Sequence, residues 1–280
     1  MNTGRLTIIS TPIGNLGDMS QRAVDSLQSA DRILCEDTRH SARLLNHFGI
    51  ERPTSAYHDH SDDRARARYL AQMADGQHLA LISDAGTPLI SDPGYKLVAE
   101  AIDAGFRVSA VPGPAAPIMA LTVSGLPSNR FLFEGFLPAK AGARASTLKM
   151  LAPVPATLLF FESGPRLAAS LAAMADLLGD REAAVTRELT KTFEEVRRGR
   201  LGALAAHYSE AGAPKGEIVV VVGPPTPEVV SLEDPQVTAA IDAGLADGMR
   251  VKDLATDLSE QFHLPKKDLY AAIQAHKDAA

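Results

Sequence analysis

Leu79–Gly94 reads LALISDAGTPLISDPG. Leu79–Ile82 has the length and apolar character of a strand buried on both faces. Two copies of Ser-Asp-x-Gly follow, Ser83–Gly86 and Ser91–Gly94. Asp favours turns by bonding nearby amides, and Gly by tolerating positive φ. The stretch therefore describes a central strand that ends in a loop of small residues and exposed backbone groups. In open α/β sheets, ligands sit beyond the carboxyl ends of the strands. Asp92-Pro93 fits a helix N-cap with proline in the first turn. This divides the two copies: Asp84 is expected to face a ligand, and Asp92 to start the next helix.

The same order recurs on either side. Leu6–Ile9 is an apolar run that stops at Ser10-Thr11-Pro12-Ile13-Gly14-Asn15. Arg107–Val111 meets Pro112-Gly113-Pro114-Ala115-Ala116. Strand, small-residue loop and helix in repetition predict a parallel α/β sheet with its loops on one edge. Between them, Arg32–Cys35 reads as a strand ending at Glu36-Asp37-Thr38-Arg39. Helical spacing is clear at Ala23, Val24 and Leu27 behind Ser20, a candidate N-cap, and again at Leu97, Val98 and Ala101.

A change of composition at Gly125–Asn129 places a domain boundary, giving an N-terminal α/β domain over 1–125. A second α/β domain is expected over 126–223, with strands at Phe131–Phe133, Thr157–Phe161, Ala183–Val185 and Ile218–Val222. Lys140–Lys149 reads as an exposed basic helix or flap, and Glu194–Arg200 as an exposed strand or hairpin. Pro224, Pro225, Pro227 and Pro235 mark a linker. The rest of 224–280 is three short helical patterns, a compact helical module.

Composition narrows the function. Acidic residues outnumber basic ones, 34 to 28, for a net charge of −6. A globally basic nucleic-acid binder is excluded, so any RNA contact rests on local patches. The single cysteine, Cys35, rules out an internal disulfide and a cysteine-rich zinc site, and its apolar surroundings make it a core residue. His58, Asp59, His60 and Asp62 read as a solvated loop rather than a metal site. Arg64, Arg66 and Arg68, spaced by two, spread around a helix as a solvated surface. No apolar run reaches membrane-spanning length and no basic-then-apolar signal opens the chain, so a cytoplasmic location is expected. GxGxxG after the first strand, GxxxxGK[ST], HExxH, GxSxG and CxxC are all missing. Dehydrogenase, P-loop and common hydrolase chemistries drop out. What is left is a two-domain α/β protein that binds a small ligand in its cleft.

Val111–Ala116 followed by Gly125-Leu126-Pro127 resembles the core motif of the tetrapyrrole-methylase family. That resemblance implies a two-domain class III methyltransferase fold with S-adenosylmethionine folded in the interdomain cleft. Ala85-Gly86-Thr87-Pro88 stands where the family carries Gly-Gly-Asp-Pro, so Thr87 replaces an aspartate and Asp84 is the candidate substitute. Ser10–Asp18, Cys35–Arg39, Ser83–Gly94, Phe161-Glu162-Ser163 and Arg187–Lys191 are similar to one branch, the small-subunit ribosomal RNA cytidine 2′-O-methyltransferases. The branch implies a substrate, a decoding-centre cytidine of 16S rRNA, and a homodimer. Methylation of a tetrapyrrole or another small molecule is the enzymatic alternative, and a non-catalytic RNA-binding module is the alternative of another class.

The resemblance and the loop positions together nominate site residues. For the cofactor these are Pro12, Asp84, Gly86, Thr87, Ile90, Ala115 and Ala116, then Phe160, Phe161, Glu162, Glu217 and Ile218 in the second domain. A ribose hydroxyl needs a proton acceptor or a polarising donor, and the catalytic candidates are Glu36, Asp37, Glu188 and Lys191, with Glu217 as a further carboxylate. RNA contacts are assigned to Arg39, Arg43, Arg64, Arg144, Arg187, Arg197 and Arg198, with Lys191 and, in the tail, Lys266 and Lys267.

Overall fold

The computed structural model describes residues 4–58, 63–226, 231–262 and 264–279. The chain divides into two compact units, Met1–Pro225 and Thr226–Ala280. Asp59, His60, Asp62 and Pro227 lie outside the described residues. Among the described residues, no group of three or more His, Cys, Asp or Glu is placed to hold a metal ion.

The larger unit opens with β1 (Arg5–Ile9), α1 (Gln21–Gln28), β2 (Arg32–Cys35), α2 (Thr38–His47), β3 (Thr54–Ala56), α3 (Asp63–Ala74), β4 (His78–Leu81), α4 (Tyr95–Asp103) and β5 (Arg107–Val111). Its first sheet has five strands in the order β3-β2-β4-β1-β5, and every pairing is parallel. The central strands β2, β4 and β1 are buried on both faces, which explains their unbroken apolar runs. Ile33, Cys35, Ala80 and Ile82 pack on the α1 side, while Leu34, Leu79 and Leu81 pack with Tyr69, Met73 and Leu97 on the other. Cys35 is a core residue as expected, and burial pushes its thiol above the usual cysteine range. Ser20 caps α1, accepting from the Ala23 N–H at 3.2 Å. β3 carries no sequence signal and forms by pairing with β2 at the sheet edge.

After α5 (Ala116–Ser124) come β6 (Phe131–Phe136), α6 (Ala141–Leu151), β7 (Thr157–Ser163), α7 (Gly164–Leu178), β8 (Glu182–Arg187), β9 (Glu195–Arg200), α8 (Leu201–Ala211) and β10 (Glu217–Val222). Their five strands run β6-β7-β10-β8-β9, parallel only between β6 and β7. One face packs on α6, α7 and α8 through Leu158, Phe160, Val185, Val220 and Val222. The other, through Leu159, Ala184, Val219 and Val221, packs on Ala120 and Leu121 of α5 and on Ile13 of the first loop. α5 and the first loop thus join the two sheets.

The smaller unit is α9 (Pro235–Ala246), α10 (Val251–Phe262) and α11 (Lys266–Ala279), around Val237, Ile241, Leu254, Leu258, Leu269 and Ile273. Among the described residues no helix is long and apolar enough to cross a membrane.

Two expectations are corrected. Arg66 is not solvated: it is buried at 7% exposure and its Nε lies 2.6 Å from Glu100 Oε1. A buried guanidinium needs a partner, and α4 supplies it. Helix α4 begins at Tyr95 with Gly94 at its N-cap, and no side chain caps it, so Asp92 does not start that helix.

Candidate active site

β4, β1 and β5 are three neighbours in one parallel sheet, so the loops at their carboxyl ends must converge. They are laced together. Thr11 and Gly86 exchange backbone hydrogen bonds at 2.8 and 3.1 Å. Thr87 Oγ1 donates to the Pro114 carbonyl at 2.9 Å and lies 2.9 Å from Ser10 Oγ. Where relatives of the resemblance carry an aspartate, this threonine ties the three loops to one another.

Two adjoining clefts open above them, each of about 270 Å³. The first lies against both sheets. Gly86, Thr87, Ile90, Ala115 and Ala116 line it from one side, and Phe161, Glu162, Glu217 and Ile218 from the other. Glu162 reaches it from a 4% exposed position, but its oxygens are engaged inward by Ser170, the Ser163 N–H and Arg166. Phe160 does not line it. Side chains alternate along a strand, and Phe160, fully buried, lies on the opposite face of β7 from Phe161. Sequence reasoning missed Phe136, whose ring centroid lies 5.3 Å from that of Phe161, and Asp92, which lines the cleft.

The second cleft is lined by Pro12, Gly14, Leu16, His40, Arg43, Asp84 and Lys191. Pro12 and Asp84, assigned to the cofactor, therefore stand on this side. Asp84 also accepts from the Asp37 N–H at 3.2 Å, which ties the β4 loop to the β2 loop. The roles expected of Asp84 and Asp92 are thus redistributed. The cause is backbone geometry, because Leu89 and Ser91 take left-handed φ values of 73° and 65° and turn the stretch back on itself.

Ile13, Ala85 and Glu217 belong to both clefts. At this seam the Lys191 ammonium donates to Glu188 Oε1 at 2.8 Å and to Glu217 Oε2 at 3.1 Å. Glu188 Oε1 also accepts from the Glu217 N–H at 2.9 Å. The Lys191 bond, then that N–H, hold the Glu188 carboxyl below the usual range. Burial works against the charge on Lys191, but the two carboxylates outweigh it and hold the ammonium above its ordinary value. The cluster is fitted closely: a Cβ on Gly14 collides with the Lys191 side chain, and one on Gly216 with Glu188. Glu188 and Thr190 adopt left-handed φ values of 51° and 65°. Such strain persists where surrounding structure enforces it.

The other candidates are dispersed. Asp37 is the N-cap of α2, accepting from the Arg39 N–H at 2.7 Å and the His40 N–H at 3.3 Å. Those bonds hold its carboxyl below the usual range, as suits a helix cap. Glu36, Asp37 and Arg39 line a separate shallow pocket that Asp84 borders. Arg64 is exposed at the start of α3 and lines neither cleft, and Arg144 on α6 reaches the Ala139 carbonyl at 3.5 Å. Arg187 and Arg197 both pair with Glu195, at 3.0 and 3.2 Å. Arg198 donates to the Val123 and Ser124 carbonyls at the end of α5. Of the arginines assigned to RNA, these last three are engaged by the fold, and Arg43 stands at the second cleft.

Comparison with known proteins agrees with this geometry. Residues 5–205 match the family model described as Tetrapyrrole (Corrin/Porphyrin) Methylases. The chain is 51% identical over 276 residues to Ribosomal RNA small subunit methyltransferase I of Mesorhizobium japonicum, covering 98% of this chain and 93% of that one. It is 42% identical to the protein of the same name from Synechocystis sp., covering 95% and 96%. Among solved structures, diphthine synthase superposes with a TM-score of 0.61 at 15% identity over 79% of this chain and 90% of that one. The uroporphyrin-III-C-methyltransferase of Thermus thermophilus gives 0.53 at 18% identity over 80% and 93%. These two show the fold alone. The matched family model and the long, highly identical relatives show that the chain belongs to the tetrapyrrole methylase family of S-adenosylmethionine-dependent methyltransferases, in the branch of the ribosomal RNA small subunit methyltransferases I.

Proposed function

We propose that the protein methylates the ribose 2′-hydroxyl of a decoding-centre cytidine in 16S rRNA, on the assembled small subunit, as a homodimer. The observation that carries this reading is the wall shared by two clefts. A methyl donor in one and an acceptor oxygen in the other would meet at Ile13, Ala85 and Glu217.

The residues of the first cleft fit S-adenosylmethionine. Ile90, Phe161 and Ile218 offer apolar surface for adenine, Ala115 and Ala116 allow close approach to backbone, and the carboxylates of Asp92 and Glu217 suit cationic groups. When bound, it supplies a methyl group already activated by its sulfonium. The chain's own residues do the rest. A lysine ammonium has three donors. Lys191 directs two to Glu188 and Glu217, and the third is assigned to the 2′-oxygen. Glu217 would take the proton as the O–H bond breaks and the O–CH₃ bond forms, while the sulfonium's S–CH₃ bond would break with its electron pair staying on sulfur and a neutral thioether would leave. Its side chain is 73% exposed, which leaves a route to solvent. Glu188, held ionised, positions Lys191. Ile13 and Ala85 keep water from the line of transfer. Exposed Tyr95 and Ile102, seven residues apart on α4, support contact with a second copy.

The test supplies labelled S-adenosylmethionine to small subunits from a strain lacking the enzyme. The RNA is digested and the label located by mass spectrometry. One ribose-methylated cytidine is expected; no label, or label on a base, overturns the reading.

A further inference from the structure

Phe193 is 73% exposed, more than any other phenylalanine among the described residues. An exposed phenyl ring forgoes the free energy of burial, a large term for an aromatic side chain. Its loop is nevertheless well fixed. The Lys191 N–H donates to the Glu188 carbonyl at 3.0 Å, the Glu194 N–H to the Lys191 carbonyl at 3.1 Å, and the Thr190 N–H to Glu194 Oε2 at 2.6 Å. Two left-handed residues, Glu188 and Thr190, set the loop's path. The ring therefore projects from a defined support two residues beyond Lys191, within about 7 Å of chain. Lys191 itself lines the second cleft.

From this placement we infer that Phe193 is a stacking platform for a nucleobase of the acceptor strand, flanking the ribose in the second cleft. The inference rests on the proposed RNA reaction and adds a specificity residue to it. Aromatic faces are the usual surface on which proteins hold unstacked bases of single-stranded RNA. A fixed, exposed ring two residues from a side chain that lines this cleft has the chemistry for it. Phe193 is a positioning residue and touches no reacting atom.

Phe193→Ala, Phe193→Leu and Phe193→Trp separate stacking from simple hydrophobicity. Ala and Leu are expected to raise the KM for small subunits about tenfold, the lower range for one lost stack. Trp is expected to hold KM at or below the wild-type value. The dissociation constant for S-adenosylmethionine, measured by calorimetry, should not move, and kcat should stay within about twofold. Leu behaving as wild type overturns the inference. So does a fall of Phe193→Ala to monomer in sedimentation, which would make the ring a contact between copies. If the wild-type protein fails to methylate subunit RNA, the functional reading fails first and takes this inference with it.

Discussion

Replacing Lys191 by methionine separates catalysis from folding. The structure sets both magnitudes. Lys191 is 24% exposed, and its partners Glu188 and Glu217 are 19% and 73% exposed. Partly exposed ion pairs contribute about 0–1 kcal/mol each. Losing both removes at most about 2 kcal/mol from a stability that is ordinarily 5–15 kcal/mol. The melting temperature should therefore fall by only a few degrees, and the variant should purify as a folded protein. The chemical loss is larger. A hydrogen bond from a charged donor is worth about 1.5–3 kcal/mol, or roughly 10- to 150-fold in rate. Lys191→Met also leaves Glu188 and Glu217 facing each other without the ammonium that bridges them, so the carboxylate that takes the proton is no longer held at the seam. We expect kcat to fall about 100-fold, with affinity for S-adenosylmethionine within about threefold. Single-turnover methylation of small subunits, with calorimetry for the cofactor, measures both. Gly14→Ala offers an independent route, since its new methyl group displaces the Lys191 side chain without removing it. A Lys191→Met enzyme with near wild-type kcat would refute the assignment and reduce Lys191 to a strut between two carboxylates.

Three further outcomes are expected. Phe160→Ala should cost about 3–5 kcal/mol of stability, read by denaturant unfolding, because the ring is fully buried; Phe161→Ala should instead weaken S-adenosylmethionine binding about tenfold. Asp37→Ala should lower thermal stability by loss of the α2 cap while leaving kcat within about twofold, and a large fall in kcat would return Asp37 to the catalytic group. Burial, and then the Arg5 charge, hold the His78 imidazole below the usual histidine range. Folding therefore excludes a proton that the unfolded chain accepts, so stability is full above about pH 6.5 and declines as pH drops below it; His78→Gln should flatten that decline in a pH series of melting curves.

The first sheet was largely legible because each of its loops follows a compact apolar run and is punctuated by Pro, Gly and Asp. Leu6–Ile9, Leu79–Ile82 and Arg107–Val111 needed only to be adjacent and parallel for their loops to meet, and they are. The second sheet shows the limit. Leu158–Phe161 is apolar throughout because both faces of β7 are covered, so no polar residue marks which face meets the cleft. Phe160 and Phe161 are then indistinguishable until the neighbouring strands are placed. The arginines fail for another reason. Charge is visible in a sequence, but the partner that neutralises it is not: Arg198 finds its carbonyls 74 and 75 residues away, and Arg66 its carboxylate 34 away.

The Glu188–Lys191–Glu217 cluster combines both cases. Arg187–Lys191 stood out as a motif, yet Glu217 completes it from 26 residues downstream, across the β8–β10 pairing. Backbone strain was the least legible feature and the most informative once seen. Among the described residues, Leu89, Ser91, Glu188 and Thr190 are the non-glycine positions with left-handed φ. None is Asn or Asp, the types that accept this conformation most readily. They fall in two loops, one bordering each side of the paired clefts. A chain selected only for folding would relieve such strain with glycine at little cost. Glu188 there keeps a carboxylate on Lys191, and Ser91 there itself lines the first cleft beside Asp92. The strain is therefore best explained by the side chains it positions, and Glu188→Gly should make the loop less strained while removing the anchor that holds the ammonium at the seam.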